Sequence, residues 1–519
     1  MQSKGKSMNK IKDFIFKNKF NILITVILTI GILVRIVGIT EYPQGLNQDE
    51  ASAGYEAYSL YAEGIDRNEK FLPVHFISWG SGQNVLYSYL MIPFILIFGL
   101  TELAVRLPMA IIGCISLILT YFTLKRMKNK KLAIVGLAFL AICPWHIMKS
   151  RWGLESNLFP DLILTAVYFI IKAIDNKKMY NLYIASVILG ISAYSYGTAY
   201  FFLPVFLISL LIYLVKTKQI TLKVAIISFI IVTLIALPMV LFTIINTFDL
   251  PEINLPFMTI PRLKANRYQE IASVFSSEFL EKTINNFTES IKMLIYQNDG
   301  LPWNSTNFFG ITYIFTLPFT ILGIILSFSK KTELKYKNIF NIWFIVSVIL
   351  LMICEPNINR CNIIIFPLIF YSVIGIHHCI QKSVHIEIAI FIVYLISFVM
   401  FLNSYFNTEA YFETDLKEVI EYVDSLDVDK VYITDNITQP YIYTLFYTKY
   451  NTKDYVETVE YFYKDINFEV IKSFGKYNFY IPETVEENSA YVVLKDGVNI
   501  NTEEFEITEF ERFLVLETK

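Results

Sequence analysis

A polytopic α-helical membrane protein with a small α/β domain at its C-terminus is the fold class this sequence predicts, on three observations. Hydrophobic residues make up 55% of the 519-residue chain and mean hydropathy is +0.48, more than an ordinary soluble globule carries. Apolar runs approaching the roughly 20 residues of a spanning helix recur as far as residue 403. Beyond that point they stop, and from residue 404 onward 24 acidic side chains stand against 10 basic ones. The chain therefore divides into a membrane domain, 1–403, and an α/β domain, 404–519.

The first apolar run, 21–40, follows the basic stretch from Lys4 to Lys19 and has no small-residue cleavage site after it, so it reads as an uncleaved anchor. Further spans are expected at 108–124, 132–148, 158–173, 181–197, 199–215, 222–246, 307–328, 338–354, 362–380 and 385–403, about eleven in all. Lysine clusters at Lys4 to Lys19, Lys125 to Lys131, Lys172 to Lys178, Lys216 to Lys223 and Lys330 to Lys337 lie in short connections, which cytoplasmic loops favour. The run Val85 to Leu100 contains Pro93 and would invert every later cluster if it crossed alone, so it is expected to be re-entrant or interfacial. The N-terminus is then cytoplasmic, and 41–107, 144–157, the turn near 198, 247–306, 355–361 and the tail lie outside.

The tail's alternating or apolar stretches, Lys430 to Thr434, Tyr477 to Ile481, Ala490 to Leu494 and Phe505 to Leu516, predict strands, while Leu416 to Leu426 and Pro440 to Lys449 predict helices. Its acidity argues against nucleic acid or anionic headgroups as partners. A packing or solubilising role is expected of it rather than catalysis. Five cysteines, at 114, 143, 354, 361 and 379, all precede the tail and are expected to be free thiols. There is no internal repeat, Gly-rich phosphate loop or zinc-type Cys/His spacing, so no cofactor and no metal are expected.

Chemistry-bearing residues gather in the external segments. Asn47-Gln48-Asp49-Glu50 puts two carboxylates at the membrane surface, although acidic residues also suit the N-terminus of a helix starting near Ala51. Gly80-Ser81-Gly82-Gln83-Asn84 could let backbone approach a ligand. Pro144-Trp145-His146 leads into Lys149-Ser150-Arg151-Trp152-Gly153-Leu154-Glu155, where tryptophan also fits an aromatic belt. Glu355-Pro356-Asn357-Ile358-Asn359-Arg360 offers a guanidinium fork suited to phosphate, against which stands an interfacial snorkelling arginine.

Together the Asp-Glu after the first span, Phe98-Gly99-Leu100-Thr101-Glu102-Leu103-Ala104-Val105-Arg106-Leu107-Pro108, and the Ser150-Arg151 and Asn359-Arg360 regions resemble the GT-C glycosyltransferases of the protein O-mannosyltransferase and aminoarabinose transferase type, glycosyltransferase family 39. The resemblance covers roughly 20–400. It implies a GT-C-like membrane domain, a polyprenyl-phosphate sugar donor entering from the bilayer, and a first-loop carboxylate that activates the acceptor. Asp49 is then the candidate base, with Glu50 orienting it or touching the acceptor. Where some relatives place a Lys-Pro-Pro type element, this chain has Gly82-Gln83-Asn84, so donor contacts differ.

The chemistry agrees: displacing a lipid phosphate from an anomeric carbon needs a base for the incoming hydroxyl and cations for the departing phosphate. Arg151 and Arg360, then Arg262 and Arg267, are the expected phosphate ligands. Gln83, Asn84, His75, His146, Tyr194, Tyr196 and Tyr200 are candidate sugar or acceptor contacts. The expected acceptor is an envelope lipid, polymer or protein on the outer face of a prokaryotic plasma membrane. Two rivals stand beside this reading. One is a transporter or lipid flippase, against which the rim placement of the charges speaks; the other is a noncatalytic envelope protein whose tail binds a partner.

Overall fold

A computed structural model describes residues 2–265, 277–301, 303–306, 308–408, 414–496 and 505–519, with side chains from Asn18 onward. Arg267, one of the expected phosphate ligands, lies outside the described residues.

The membrane domain opens with helix α1 (Gln2–Ile36), followed by α2 (Gln48–Glu63), a two-residue hairpin of β1 (His75–Phe76) and β2 (Gln83–Asn84), and α3 (Leu86–Phe98). Next come α4 (Glu102–Met127), α5 (Lys130–Ala141), α6 (Pro144–Ser150), α7 (Glu155–Asn176), α8 (Tyr180–Ser192), α9 (Ala199–Lys216) and α10 (Leu222–Thr247). After a second short hairpin, β3 (Ile253–Leu255) and β4 (Met258–Ile260), follow α11 (Phe279–Tyr296), α12 (Leu317–Phe328), α13 (Lys337–Ile353), α14 (Ile358–Cys361), α15 (Ile365–Ile380) and α16 (Val384–Phe406).

All eleven apolar segments expected to span are helical, but their lengths sort them. Among the described residues seven helices are long and apolar enough to cross a membrane, or eight if the pair α5 and α6, bent by 60° at its break, counts as one span. Four further apolar helices are shorter, at 10–17 residues: α3, α8, Ile314–Phe328 and α13. At 1.5 Å per residue the 13-residue α3 is about 20 Å long, short of a crossing, in keeping with its re-entrant or interfacial expectation. Length and composition alone thus pick out seven or eight of the eleven expected spans, and α8, Ile314–Phe328 and α13 fall in the other three. The bend at Cys143 has a local cause: Pro144 opens α6 and offers no N–H to continue α5.

The tail supplies α17 (Leu416–Ser425), β5 (Lys430–Ile433), α18 (Pro440–Thr448), α19 (Thr452–Thr458), β6 (Glu460–Tyr463), β7 (Val470–Phe474), β8 (Tyr477–Asn478), β9 (Ser489–Leu494), β10 (Phe505–Glu509) and β11 (Phe513–Thr518). They build a seven-stranded sheet in the order β10-β11-β9-β5-β8-β7-β6. β5 runs parallel to both β8 and β9, and the other pairings are antiparallel. The stretch expected as one strand, Phe505 to Leu516, is a hairpin, and α19, β6 and β7 go beyond the expected elements. All five cysteines are free.

Two cores meet the two parts of the chain differently. The larger fills the membrane bundle. The second joins α2, α3 and α4 to the tail: Ala51, Tyr55, Tyr87 and Val105 share one buried cluster with Val419, Ile442 and Phe446. α18 lies on α2 so closely that a Cβ on Gly54 would stand 2.8 Å from the Phe446 ring.

Candidate active site

The position of Asp49 begins with a helix cap. Asn47 precedes α2 in extended conformation; its side chain accepts the Asp49 N–H at 2.7 Å, and the Glu50 carboxylate accepts the Asn47 N–H at 3.2 Å. This reciprocal box fixes the first turn of α2. It leaves Asp49 half-buried at the mouth of the helix, where the macrodipole favours a carboxylate.

Glu50 is committed elsewhere. It is fully buried; Oε1 accepts from Arg106 Nε at 2.9 Å and from the Gly153 N–H at 2.8 Å, and Oε2 accepts from Arg106 Nη2 at 2.9 Å. Arg106 spends its remaining donors on the carbonyls of Ile39, Pro43 and Gly45, at 3.2, 2.9 and 2.6 Å. The pair staples the turn after α1, the start of α2, the body of α4 and the α6–α7 link at one point. Gly153 is required there, since a Cβ would lie 2.8 Å from Val105 Cγ1 and 2.9 Å from its carbonyl oxygen. Glu50 is therefore corrected from a catalytic candidate to the anchor beneath Asp49: every oxygen lone pair it offers is engaged within the fold.

Arg151 needs the same correction. Its guanidinium donates to the carbonyls of Val34, Val37, Gly38 and Tyr42 at 3.0, 2.8, 2.7 and 3.2 Å and lies 5.1 Å from the centre of the Phe406 ring. It caps the C-terminus of α1, whose last carbonyls have no helical partner, rather than facing a ligand. His146 is buried too: its Nδ1 accepts from Arg35 Nε at 3.3 Å and Nη2 at 2.8 Å, beside an ion pair between Lys149 and Asp161. His75 Nδ1 is 2.9 Å from the Phe76 carbonyl oxygen and its ring stacks on Phe242 at 4.2 Å; burial lowers its pKa to about 4, keeping it neutral. The Tyr194 hydroxyl donates to the Ile235 carbonyl at 2.8 Å. These three side chains hold elements together.

The β1–β2 hairpin brings the rest of the site to α2. Gln83 donates through Nε2 to the Asp49 carbonyl at 3.4 Å, and its Oε1 accepts from Ser52 at 2.9 Å and Ser78 at 3.4 Å. Asn84 donates its backbone N–H to Glu155 Oε2 at 2.5 Å and its side chain to Glu155 Oε1 at 3.3 Å. Tyr200 donates to Asn84 Oδ1 at 2.7 Å. Asn84, steadied by Tyr200, thus holds the Glu155 carboxylate, while Gln83 ties the hairpin to the first turn of α2. Glu155, in the first turn of α7, joins the site as a second half-buried carboxylate to which the sequence reading assigns no role.

Tyr196 reports how these groups converge. Its phenol is held above its usual range, first by burial; Arg360 opposes the shift, and Glu155, Cys354 and Asp49 add to it. Arg360, Glu155 and Asp49 thus lie within electrostatic reach of the Tyr196 phenol, at the outer turn between α8 and α9. Arg360 sits on α14, which Asn357 caps by accepting the Arg360 N–H at 2.7 Å. Its Nη1 donates to Glu355 at 2.8 Å, and Glu355 is 66% exposed. Such a pair is worth at most about 1 kcal/mol, so an incoming phosphate could displace it. Arg262 lies elsewhere, paired to the exposed Asp249 at 3.2 Å.

With this geometry, comparison with known proteins is informative. Residues 83–244 match the family described as dolichyl-phosphate-mannose-protein mannosyltransferase. Among solved structures, the undecaprenyl-phosphate-bound ArnT of Cupriavidus metallidurans is similar with a TM-score of 0.58 and 11% identity, over 95% of this chain and 97% of that one. The chain has the GT-C fold. The apo oligosaccharyltransferase of Archaeoglobus fulgidus is similar to this GT-C chain with a TM-score of 0.53 and 12% identity, over 83% of the chain. The alignment spans 64% of the oligosaccharyltransferase's length. No curated protein matches the GT-C chain by sequence.

Proposed function

We propose that this chain is a membrane glycosyltransferase that moves a sugar from a polyprenyl-phosphate donor to a hydroxyl of an envelope lipid, polymer or protein, with its active face outside a prokaryotic plasma membrane. The observation that carries the reading is that β2 brings two carboxylate-bearing turns together, Gln83 bonding to the Asp49 carbonyl and the adjacent Asn84 to the Glu155 carboxylate, in a GT-C bundle whose similar structures include one bound to undecaprenyl phosphate and one with dolichol phosphate and an inhibitory peptide.

Asp49 takes the proton of the acceptor hydroxyl as its oxygen bonds to the anomeric carbon. The bond from that carbon to the phosphate oxygen breaks, and its electron pair leaves with the polyprenyl phosphate. Arg360 meets the phosphate charge that develops. Glu155, held by both donors of Asn84, orients the acceptor or sugar hydroxyls across from Asp49. Tyr196 offers a ring face and a hydroxyl to the sugar between them. The Glu50–Arg106 anchor keeps Asp49 within the tolerance that catalytic positioning demands.

The test is mass spectrometry of envelope glycolipids, polymers and surface proteins from null cells carrying wild type or Asp49→Asn at matched membrane levels. A sugar modification lost in the null, restored by wild type and absent with Asp49→Asn supports the reading and identifies the product. Full restoration by Asp49→Asn overturns it.

A further inference from the structure

The reaction leaves unused a cavity of about 700 Å³, lined by charges of both signs, where the first external loop, the β3–β4 region and the tail come together; of its cations, Arg262 pairs with Asp249 outside it at 3.2 Å. Six cations line it: Arg67 and Lys70 from the first loop, Arg262 and Lys264 after β4, and Lys464 and Lys472 from the tail. Three carboxylates, Glu69, Glu252 and Glu460, line it as well. Lys70 pairs with Glu252 at 2.9 Å and Lys472 with Glu460 at 2.8 Å, while Lys264 pairs with Glu469 at 2.8 Å. Lys464 lies 4.8 Å from the centre of the Tyr461 ring and makes no ion pair among the described residues. A tail with 24 acidic and 10 basic side chains thus turns two of its lysines to this cavity.

Arg67 is the unusual member. It is 4% exposed, its Nε meets Glu56 Oε1 at 3.2 Å, and its guanidinium lies 4.9 Å from the centre of Trp79 and 5.7 Å from that of Tyr441. Among the described residues neither Nη1 nor Nη2 has a hydrogen-bond partner. A buried guanidinium left with unmet donors is costly and is the group best shaped to take an oxyanion in two-point contact.

The cavity connects to the reaction through short contacts. Glu56 follows Asp49 by two turns on the same face of α2, about 10 Å along the axis. Between them Ser78 donates to Glu56 and to Gln83, both at 3.4 Å, and Gln83 reaches the Asp49 carbonyl. A molecule with its hydroxyl at Asp49 would have to extend on the order of 10 Å along α2 to bring a second group level with Glu56, the ion-pair partner of Arg67.

We propose that this cavity binds an anionic group, phosphate or carboxylate, of the acceptor, so that the substrate class is an acidic envelope polymer or lipid. The inference rests on the transferase reading above. The purified full chain is titrated by calorimetry with tripolyphosphate and, separately, with trigalacturonate, the two arms distinguishing phosphate from carboxylate. Saturable binding of at least one probe is expected. It should weaken tenfold or more in Lys464→Ala/Lys472→Ala, fall steeply with salt, and be unchanged in the control Lys430→Ala/Lys495→Ala, whose lysines lie outside the cavity. The first double variant should also lower the envelope modification in cells. Absence of saturable binding, equal loss in the control, or lost binding with an undiminished modification each overturns the proposal. Asp49→Asn separates the two readings: it should abolish transfer and leave probe binding intact, so a failure of probe binding beside Asp49-dependent transfer removes only the acidic-acceptor inference.

Discussion

Glu50→Gln and Asp49→Asn make the same atomic change one position apart, an oxygen replaced by NH₂, and should have opposite consequences. In Glu50 each oxygen accepts from two N–H groups: Oε1 from Arg106 and Gly153, Oε2 from Arg106 and Asn47. Whichever oxygen becomes NH₂ then points donors at donors. The neutral side chain also leaves the fully buried Arg106 without its counter-charge, a loss of about 3–5 kcal/mol. Asp49 is half-buried at a helix start, so its amide should cost stability no more than about 0.5 kcal/mol while lowering transfer by about 10²- to 10⁴-fold. Thermal unfolding of the detergent-solubilised proteins measures the first effect, and product formation per folded molecule the second. If Glu50→Gln unfolds with the wild type, or if Asp49→Asn is the destabilised variant and transfers normally once folded, the division of labour between the two carboxylates is refuted.

Glu155→Gln sets an NH₂ against one of the two Asn84 donors at a half-buried position, and should cost about 1–3 kcal/mol and lower turnover per folded molecule at least tenfold; unchanged turnover would remove Glu155 from the site. Phe446→Ala, emptying a ring that is 1% exposed against α2, should cost about 3–5 kcal/mol and reduce transfer although the residue lies in the tail, as unfolding and product assays would show. Burial first, and then the Glu56 carboxylate, pushes Asp66 up to about 8. The native state therefore holds this proton more tightly than the unfolded chain. Its contribution to stability is complete below about pH 4 and is lost as pH rises through about 8. Unfolding measured across that window should show less pH dependence in Asp66→Asn, which retains the side-chain oxygen that accepts from Asn68 and Lys70.

The elements legible in the sequence were those whose signal is local. Apolar runs marked the bundle, and the acidic pair Asp49-Glu50 marked the start of α2, whereas the expected span 132–148 hid the break that Pro144 makes between α5 and α6. The span count was less legible because a 13-residue apolar helix such as α8 and a crossing helix share composition and differ only in length. In the tail, β6 was hidden because its Glu460–Tyr463 pattern leaves most side chains exposed, with no apolar alternation to read.

The site residues divide by a physical rule that sequence position does not express. Arg151 and Arg360 both follow the pattern of a cation near the outer face, yet a buried guanidinium must satisfy its donors within the protein, whereas one paired to an exposed carboxylate can exchange that partner for substrate. Burial set by tertiary packing therefore decides which arginine caps a helix and which keeps an exchangeable partner, as the proposed phosphate contact of Arg360 requires. The same rule separates Glu50 from Asp49, adjacent in the chain and facing opposite environments because successive residues on a helix point about 100° apart. Glu155 escaped because its value depends on Asn84, distant in the chain and brought to it by the β1–β2 hairpin. The long-range couplings are the part the proposed function rests on: α2 holds the proposed base Asp49 at its first turn, Glu56, the partner of Arg67, two turns later, and Gly54 against the tail's Phe446. A single helix thus links chemistry, substrate recognition and the soluble domain, which is why a tail without catalytic residues of its own should still govern turnover.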